Sequence, residues 1–172
     1  MNLLQEYSMG TLAATQALGG KIETMLSNVK VGLEAYHREW DGTTRMAGSG
    51  YAPQYSIPDV NTDNVGIYGE YARSLSDRIK LSFGGRLDTV TTAADDSKAN
   101  TNLYYAYHST RLTSKTNNYP SGNVRLSFKA PMGFQVSGGV GHTVRVPDAR
   151  ERYFALKRMG ADWVGNPELT PS

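Results

Sequence analysis

Hydrophobic and polar residues alternate along much of this chain with a period of two, the pattern of strands whose two faces meet different surroundings. The clearest run is Arg78-Ile79-Lys80-Leu81-Ser82-Phe83-Gly84-Gly85-Arg86-Leu87-Asp88. Ile79, Leu81, Phe83 and Leu87 share one face, and Arg78, Lys80, Ser82, Arg86 and Asp88 the other. Val124, Leu126 and Phe128 alternate with Arg125, Ser127 and Lys129. Phe134, Val136, Val140, Val144 and Val146 oppose Gln135, Ser137, Thr143 and Arg145. Upstream, Val29, Val31, Leu33 and Ala35 face away from Lys30, Glu34, Tyr36 and Arg38, while Val65, Ile67 and Tyr71 oppose Tyr68 and Glu70 within 64–74. With a shorter run at 21–26, the pattern predicts six strands.

The connections alternate in length. Ser27-Asn28, Leu75-Ser76-Asp77 and Pro131-Met132-Gly133 have the size and chemistry of hairpin turns, whereas 41–63, 93–120 and everything after Pro147 read as long polar loops. An all-β antiparallel meander with short and long connections in strict alternation fits part of a transmembrane β-barrel, with short periplasmic turns and long extracellular loops. About ten residues per tilted strand suffice to cross the hydrocarbon layer. Within the last loop, Asp148 and Glu151 form a capping pattern after Pro147, and Tyr153, Leu156 and Met159 recur every three residues. This predicts a short helix ended by Gly160.

Composition changes the picture in two respects. Hydrophobic residues make up 39% and charged residues 20%, with a net charge of +2 and a mean hydropathy of −0.47. That balance excludes a disordered chain and a nucleic-acid binder, and no stretch reaches the ~20 apolar residues of a spanning helix. The 18 glycines and 11 tyrosines favour twisted β-structure, and the lack of cysteine excludes disulfides and thiolate metal sites.

The barrel reading assigns sides. The apolar faces are expected to meet lipid, with Tyr71, Phe128 and Phe134 near short turns as an aromatic girdle. Lys30, Glu34, Arg38, Glu70, Arg78, Lys80, Arg86, Asp88, Arg125 and Arg145 are expected to point into the lumen, as candidates for contact with whatever fills it. The run Tyr104-Tyr105-Ala106-Tyr107-His108, with Arg152 and Tyr153, supplies candidate ligand contacts from the loops. No enzyme is expected. His37, His108 and His142 are far apart, Gly138-Gly139-Val140-Gly141 lacks the third glycine of a phosphate loop, and Asp88, Asp95 and Asp96 have no partner base. No cofactor is expected.

Three motifs, in order, resemble a known family. Tyr68-Gly69-Glu70-Tyr71 followed by Leu75-Ser76-Asp77-Arg78-Ile79-Lys80-Leu81 and Gly84-Gly85-Arg86-Leu87-Asp88 resembles a barrel hairpin of TonB-dependent receptors. Val144-Arg145-Val146-Pro147-Asp148-Ala149-Arg150-Glu151-Arg152-Tyr153 resembles their Arg-x-Pro strand end with its acidic loop, and Gly165-Asn166-Pro167-Glu168-Leu169-Thr170-Pro171 their Gly-Asn-Pro-x-Leu-x-Pro turn. The resemblance implies an outer-membrane barrel of the plugged 22-strand class. Such a receptor takes up a scarce solute (siderophore, cobalamin or metal) with energy from the TonB complex acting on a plug. Its implied partners are outer-membrane lipid, the TonB complex through a plug domain, and a small-molecule or metal ligand.

Against that family, residues 1–172 are expected to be an incomplete barrel segment, without plug, TonB box or closing strand. Met1-Asn2-Leu3-Leu4-Gln5-Glu6-Tyr7 shows no leader pattern. The tail from Arg152 to Met159, with Trp163-Val164-Gly165-Asn166-Pro167, further resembles the copper-receptor branch. There Met9, Met25 and Met46 with His37 and His108 offer soft and imidazole donors, although no two have ligand spacing. The competing expectations are a small outer-membrane barrel acting as adhesin or structural protein, and a soluble β-sandwich binding module.

Overall fold

The computed structural model describes residues 8–48 and 50–170. The run at 1–7, the end of the Gly-Asn-Pro motif at Pro171, and Ser172 lie outside the described residues. Six antiparallel strands form one meander, β1 (Ser8–Leu26), β2 (Val29–Ala47), β3 (Gln54–Ser74), β4 (Ile79–Ala93), β5 (Ser114–Lys129) and β6 (Gln135–His142), in sequential order. Helix α1 (Thr101–His108) lies between β4 and β5. After β6 come helix α2 (Ala149–Tyr153) and a small ladder of β7 (Ala155–Leu156) with β8 (Trp163–Val164).

Register sorts the side chains. Leu26, Val29, Tyr71, Phe83, Val124 and Val140 form one continuous cross-strand row, and Ile22, Leu33, Ile67 and Leu87 another, all on one face. These residues remain largely exposed, with Ile22 at 78% and Val140 at 78%, so a broad apolar surface stands uncovered by protein. From Ile79 to Leu87 the band runs about 27 Å along β4, or roughly 20 Å in height at the 35–45° tilt usual in such barrels, close to the ~25 Å expected. Tyr71 and Phe83 stack near its turn-side margin with ring centroids 5.1 Å apart. Beyond the band the same face turns polar across β2 to β5 in the row His37, Asp63, Thr91, Thr116.

The strands are longer than their hydrophobic pattern. β2 and β3 reach 19 and 21 residues, so the expected loop at 41–63 shrinks to 48–53. Hydroxyl pairing sustains the ladder there without apolar alternation: Thr11 and Thr44 meet at 2.8 Å, and Thr44 donates to Ser56 at 2.8 Å. β1 likewise extends well upstream of 21–26, and the expected loop at 93–120 narrows to 94–113, with α1 inside it. β6 is shorter than expected and stops at His142, where the next steps would bring Val144 opposite Pro120, a residue with no N–H to give a ladder. The predicted helix keeps its capping box of Asp148 and Glu151 but ends at Tyr153, because Phe154 is extended and leads into β7. Met159 is 64% exposed, so the three-residue spacing does not mark a buried helical face.

One glycine makes room for an aromatic ring. Gly32 lies opposite Tyr68, whose ring occupies the space a Cβ at residue 32 would need. Gly32→Leu is therefore expected to evict the ring, break the Tyr68–Glu23 hydrogen bond and cost about 1–3 kcal/mol. The denaturant midpoint of the refolded full-length protein is the measurement, and an unchanged midpoint would contradict this packing.

Candidate functional site

The face opposite the apolar band carries an ionic ladder built by cross-strand pairing. Lys21 and Glu23 on β1 pair at 2.8 Å. Lys30 lies 3.7 Å from Glu23 and 3.6 Å from Glu70. Arg86 donates from Nη1 to Glu34 at 2.6 Å, and from Nε and Nη2 to the two oxygens of Asp88, each at 2.6 Å. Asn64 Nδ2 adds a donor to Asp88 at 3.0 Å. Tyr68 is the hub of this network. Its hydroxyl donates to Glu23 at 2.7 Å, while Lys21, Lys30 and Arg86 approach its ring at 5.1, 5.9 and 5.8 Å from the centroid. A recess of about 300 Å³ opens beside it, lined among others by Lys30, Tyr68, Glu70, Arg86, Asn123 and His142.

Lys30, Glu34, Arg38, Glu70, Lys80, Arg86, Asp88 and Arg125 all lie on this face by register. Two residues of the expected set do not. Arg78 sits in the turn before β4, since the ladder starts at Ile79. Arg145 follows the end of β6 and binds Glu151 instead, with two hydrogen bonds of 2.8 Å.

Farther along the same face, beyond the height of the band, a small apolar core forms under a cap. Val60 and Ile57 from β3 pack with Leu103 and Tyr104 of α1, and with Ala149, Tyr153 and Ala155. The Tyr153 hydroxyl donates to the Thr92 carbonyl at 3.1 Å, and the Tyr104 hydroxyl to the Tyr153 carbonyl at 2.6 Å. Burial pushes the Tyr153 phenol up to about 12 and raises that of Tyr104. Both stay protonated near neutrality and serve as donors, not as bases or phenolate ligands. Arg152 is fully buried, with Nη2 donating to Asn117 Oδ1 at 3.0 Å and to the Tyr119 hydroxyl and Leu169 carbonyl at 3.3 Å each. Tyr104, Arg152 and Tyr153 are thus spent on the cap's own packing. Tyr105 and Tyr107, 54% and 55% exposed, remain open to a ligand, with half-buried His108 beside them at the end of α1. Tyr107 is not wholly free, because its hydroxyl donates to Asp162 at 3.1 Å.

The soft donors divide. Met9 and Met46, far apart in sequence, are direct cross-strand partners on the polar face. Sequence spacing hid this because residues 8–20 lack alternation. Met25 lies at the opposite end of β1, and His37 is on the other face, between Asp63 at 2.7 Å and Glu39 at 3.3 Å. Among the described residues, no group of three His, Asp or Glu is arranged to hold a metal ion. Asp88, Asp95 and Asp96 are each engaged separately, by Arg86, Ser97 and Thr113. The glycines from Gly138 to Gly141 are plain strand in β6.

A meander with an exposed apolar band on one face and an ion-paired opposite face is a section of an outer-membrane-type β-barrel wall. The profile of the TonB dependent receptor-like β-barrel family matches residues 5–172, and the chain belongs to that family. The family is an outer-membrane class of transport receptors rather than enzymes. Among solved structures, that of "Copper transporter OprC" superposes with a TM-score of 0.68 at 21% identity, covering 95% of this chain and 27% of that one. The chain thus spans little more than a quarter of that structure's length. No curated protein matches the sequence.

The α2 cap gives a pH test. Arg145 beside Glu151, helped by the Asp148 N–H, holds the Glu151 carboxyl below the usual carboxylate range. This contribution is complete above the unfolded value of about 4.3 and is lost as pH falls through the lower folded value. Hydrogen-exchange protection across 148–154, corrected for intrinsic rates, is expected to drop as pH falls below about 4.3, and Glu151→Gln to flatten that drop.

Proposed function

We propose that this chain forms part of the wall of an outer-membrane TonB-dependent receptor that takes up a scarce solute, its apolar band against lipid and its ionic ladder toward the lumen. Energy comes from the TonB complex acting through a plug domain. The observation that carries the reading is the opposition of the two faces across strands long enough to span the bilayer. A soluble sandwich would bury the band that is left bare here.

The adjacent residues Asn123 and Val124 test the orientation, since they lie on opposite faces. In the full-length receptor refolded into lipid, Val124→Arg is expected to cost about 2–4 kcal/mol. Asn123→Lys, facing Glu70 across Gly84, is expected to cost less than about 1 kcal/mol. Equal losses in denaturant titrations would remove the assignment of sides.

Copper is the solute favoured by a particular observation, the juxtaposition of Met9 and Met46. Two thioethers side by side on the polar face, beyond the height of the band, suit copper(I) better than a hard ion. The likeness to a copper transporter's fold is consistent with this. With Met9→Leu and Met46→Leu combined, copper(I) binding to the purified full-length receptor is expected to weaken at least about tenfold, equivalent to ~1.4 kcal/mol. Unchanged affinity by calorimetric titration would return the choice to siderophores and cobalamin.

A further inference from the structure

One cation in the cap has no counter-charge. Arg152 is fully buried, and among the described residues it takes part in no ion pair. Its hydrogen bonds all leave from Nη2 and end on neutral oxygens, those of Asn117, Tyr119 and Leu169. The Nε–H, buried as well, meets no acceptor among the described residues. Half-buried Lys115 on β5 is likewise outside every ion pair, with its ammonium on the Glu168 carbonyl at 2.8 Å. The acids of the cap and of the strand face below it are engaged elsewhere. Glu151 holds Arg145, Asp148 caps α2, Asp162 accepts from Tyr107, and Asp88, opposite Tyr119, is taken by Arg86 and Asn64. Glu168 is exposed and gives Lys115 its carbonyl, not its carboxylate.

A second unpartnered group lies in the same layer. Thr92 on β4 is fully buried, and its hydroxyl has no partner among the described residues. Its carbonyl accepts from Tyr153, the residue after Arg152, and its register partner on β5 is Lys115. Asn117, which holds the Arg152 guanidinium, lies two residues from Lys115 on the same face. Hydrogen-bond donors and positive charge thus collect where the cap meets β4 and β5, and carboxylates do not. A buried cation left unpaired is costly, and an anion accepting from its free N–H lowers that cost. Closure of both the Nε–H and the Thr92 hydroxyl to solvent restricts the occupant to a single small ion, seated as the cap lifts slightly from the strands.

We propose that Arg152, Thr92 and Lys115 form a binding site for one chloride-sized anion, which fastens the cap to β4 and β5. The site is independent of which face meets lipid and of the solute carried.

The test uses the full-length receptor purified in detergent. Hydrogen exchange across 148–170 is expected to slow at least about fivefold in chloride relative to gluconate at equal ionic strength, the effect of a ligand at about four times its Kd. Bromide should reproduce the slowing, and anomalous diffraction from bromide-soaked crystals should place an ion against Arg152 Nε. Arg152→Gln is expected to abolish the chloride effect. Thr92→Val, which keeps the charge and the side-chain shape, should raise the chloride concentration giving half the effect at least about threefold. Unheated gel migration confirms folding, and where Arg152→Gln does not fold, Thr92→Val and the wild-type protein decide. Equal exchange in chloride and gluconate, a chloride effect that persists in folded Arg152→Gln, or an unmoved half-effect concentration in Thr92→Val overturns the proposal. So does a carboxylate from elsewhere in the receptor on Arg152 Nε, or a bromide there with exchange indifferent to chloride, which is an adventitious ion only.

Discussion

Cross-strand register is the constraint on which the rest of this structure depends. Because strand side chains alternate, a one-residue slip of β3 against β2 would carry Tyr68 and Glu70 onto the apolar face and Ile67 onto the ionic one. Tyr68 opposes such a slip. Its ring lies in the space a Cβ at Gly32 would need, and its hydroxyl reaches past β2 to Glu23 on β1. The three cations around the ring come from β1, β2 and β4, so one aromatic side chain coordinates the alignment of four strands.

The sequence is legible where the two faces differ most. Between Ile79 and Leu87, or Val124 and Phe128, lipid-type and water-type residues alternate without a break, and strands were expected there and found. Legibility fails beyond the apolar band, where polar residues sit on both faces even when one of them is buried under the cap. At 41–47 and 54–63 the strand continues through Thr44 and Ser56, held by a hydroxyl pair that leaves no hydrophobic trace. In β1, small residues such as Ala13, Ala14, Gly19 and Gly20 erase the pattern altogether. The adjacency of Met9 and Met46 was invisible for the same reason, since a hairpin must be known before its far ends can be paired. The polar face was legible as a list of charges, whereas its hub was not, because Tyr68 looked like one more alternating tyrosine.

Chemistry also changes with height along the strands. The lower part meets the demands of a bilayer, with aromatic rings near the turns and aliphatic side chains above them. The upper part is an ordinary water-facing sheet that lifts a miniature soluble core, and its interior is closed by Tyr104, Tyr153 and Arg152. Burial there is complete enough that a guanidinium is held by neutral acceptors alone, a costly arrangement that fixes the cap in one pose.

The attachments of that cap have a mechanical consequence. Tyr153 is tied to β4, Arg152 to β5, and Gln54 at the start of β3 exchanges two hydrogen bonds with the backbone of Lys157. Lys115 on β5 holds the Glu168 carbonyl as well. The segment after β6 therefore clamps three strands from one side, like a rib across planks. A load applied to it spreads into β3, β4 and β5 together rather than peeling away the short strand β6.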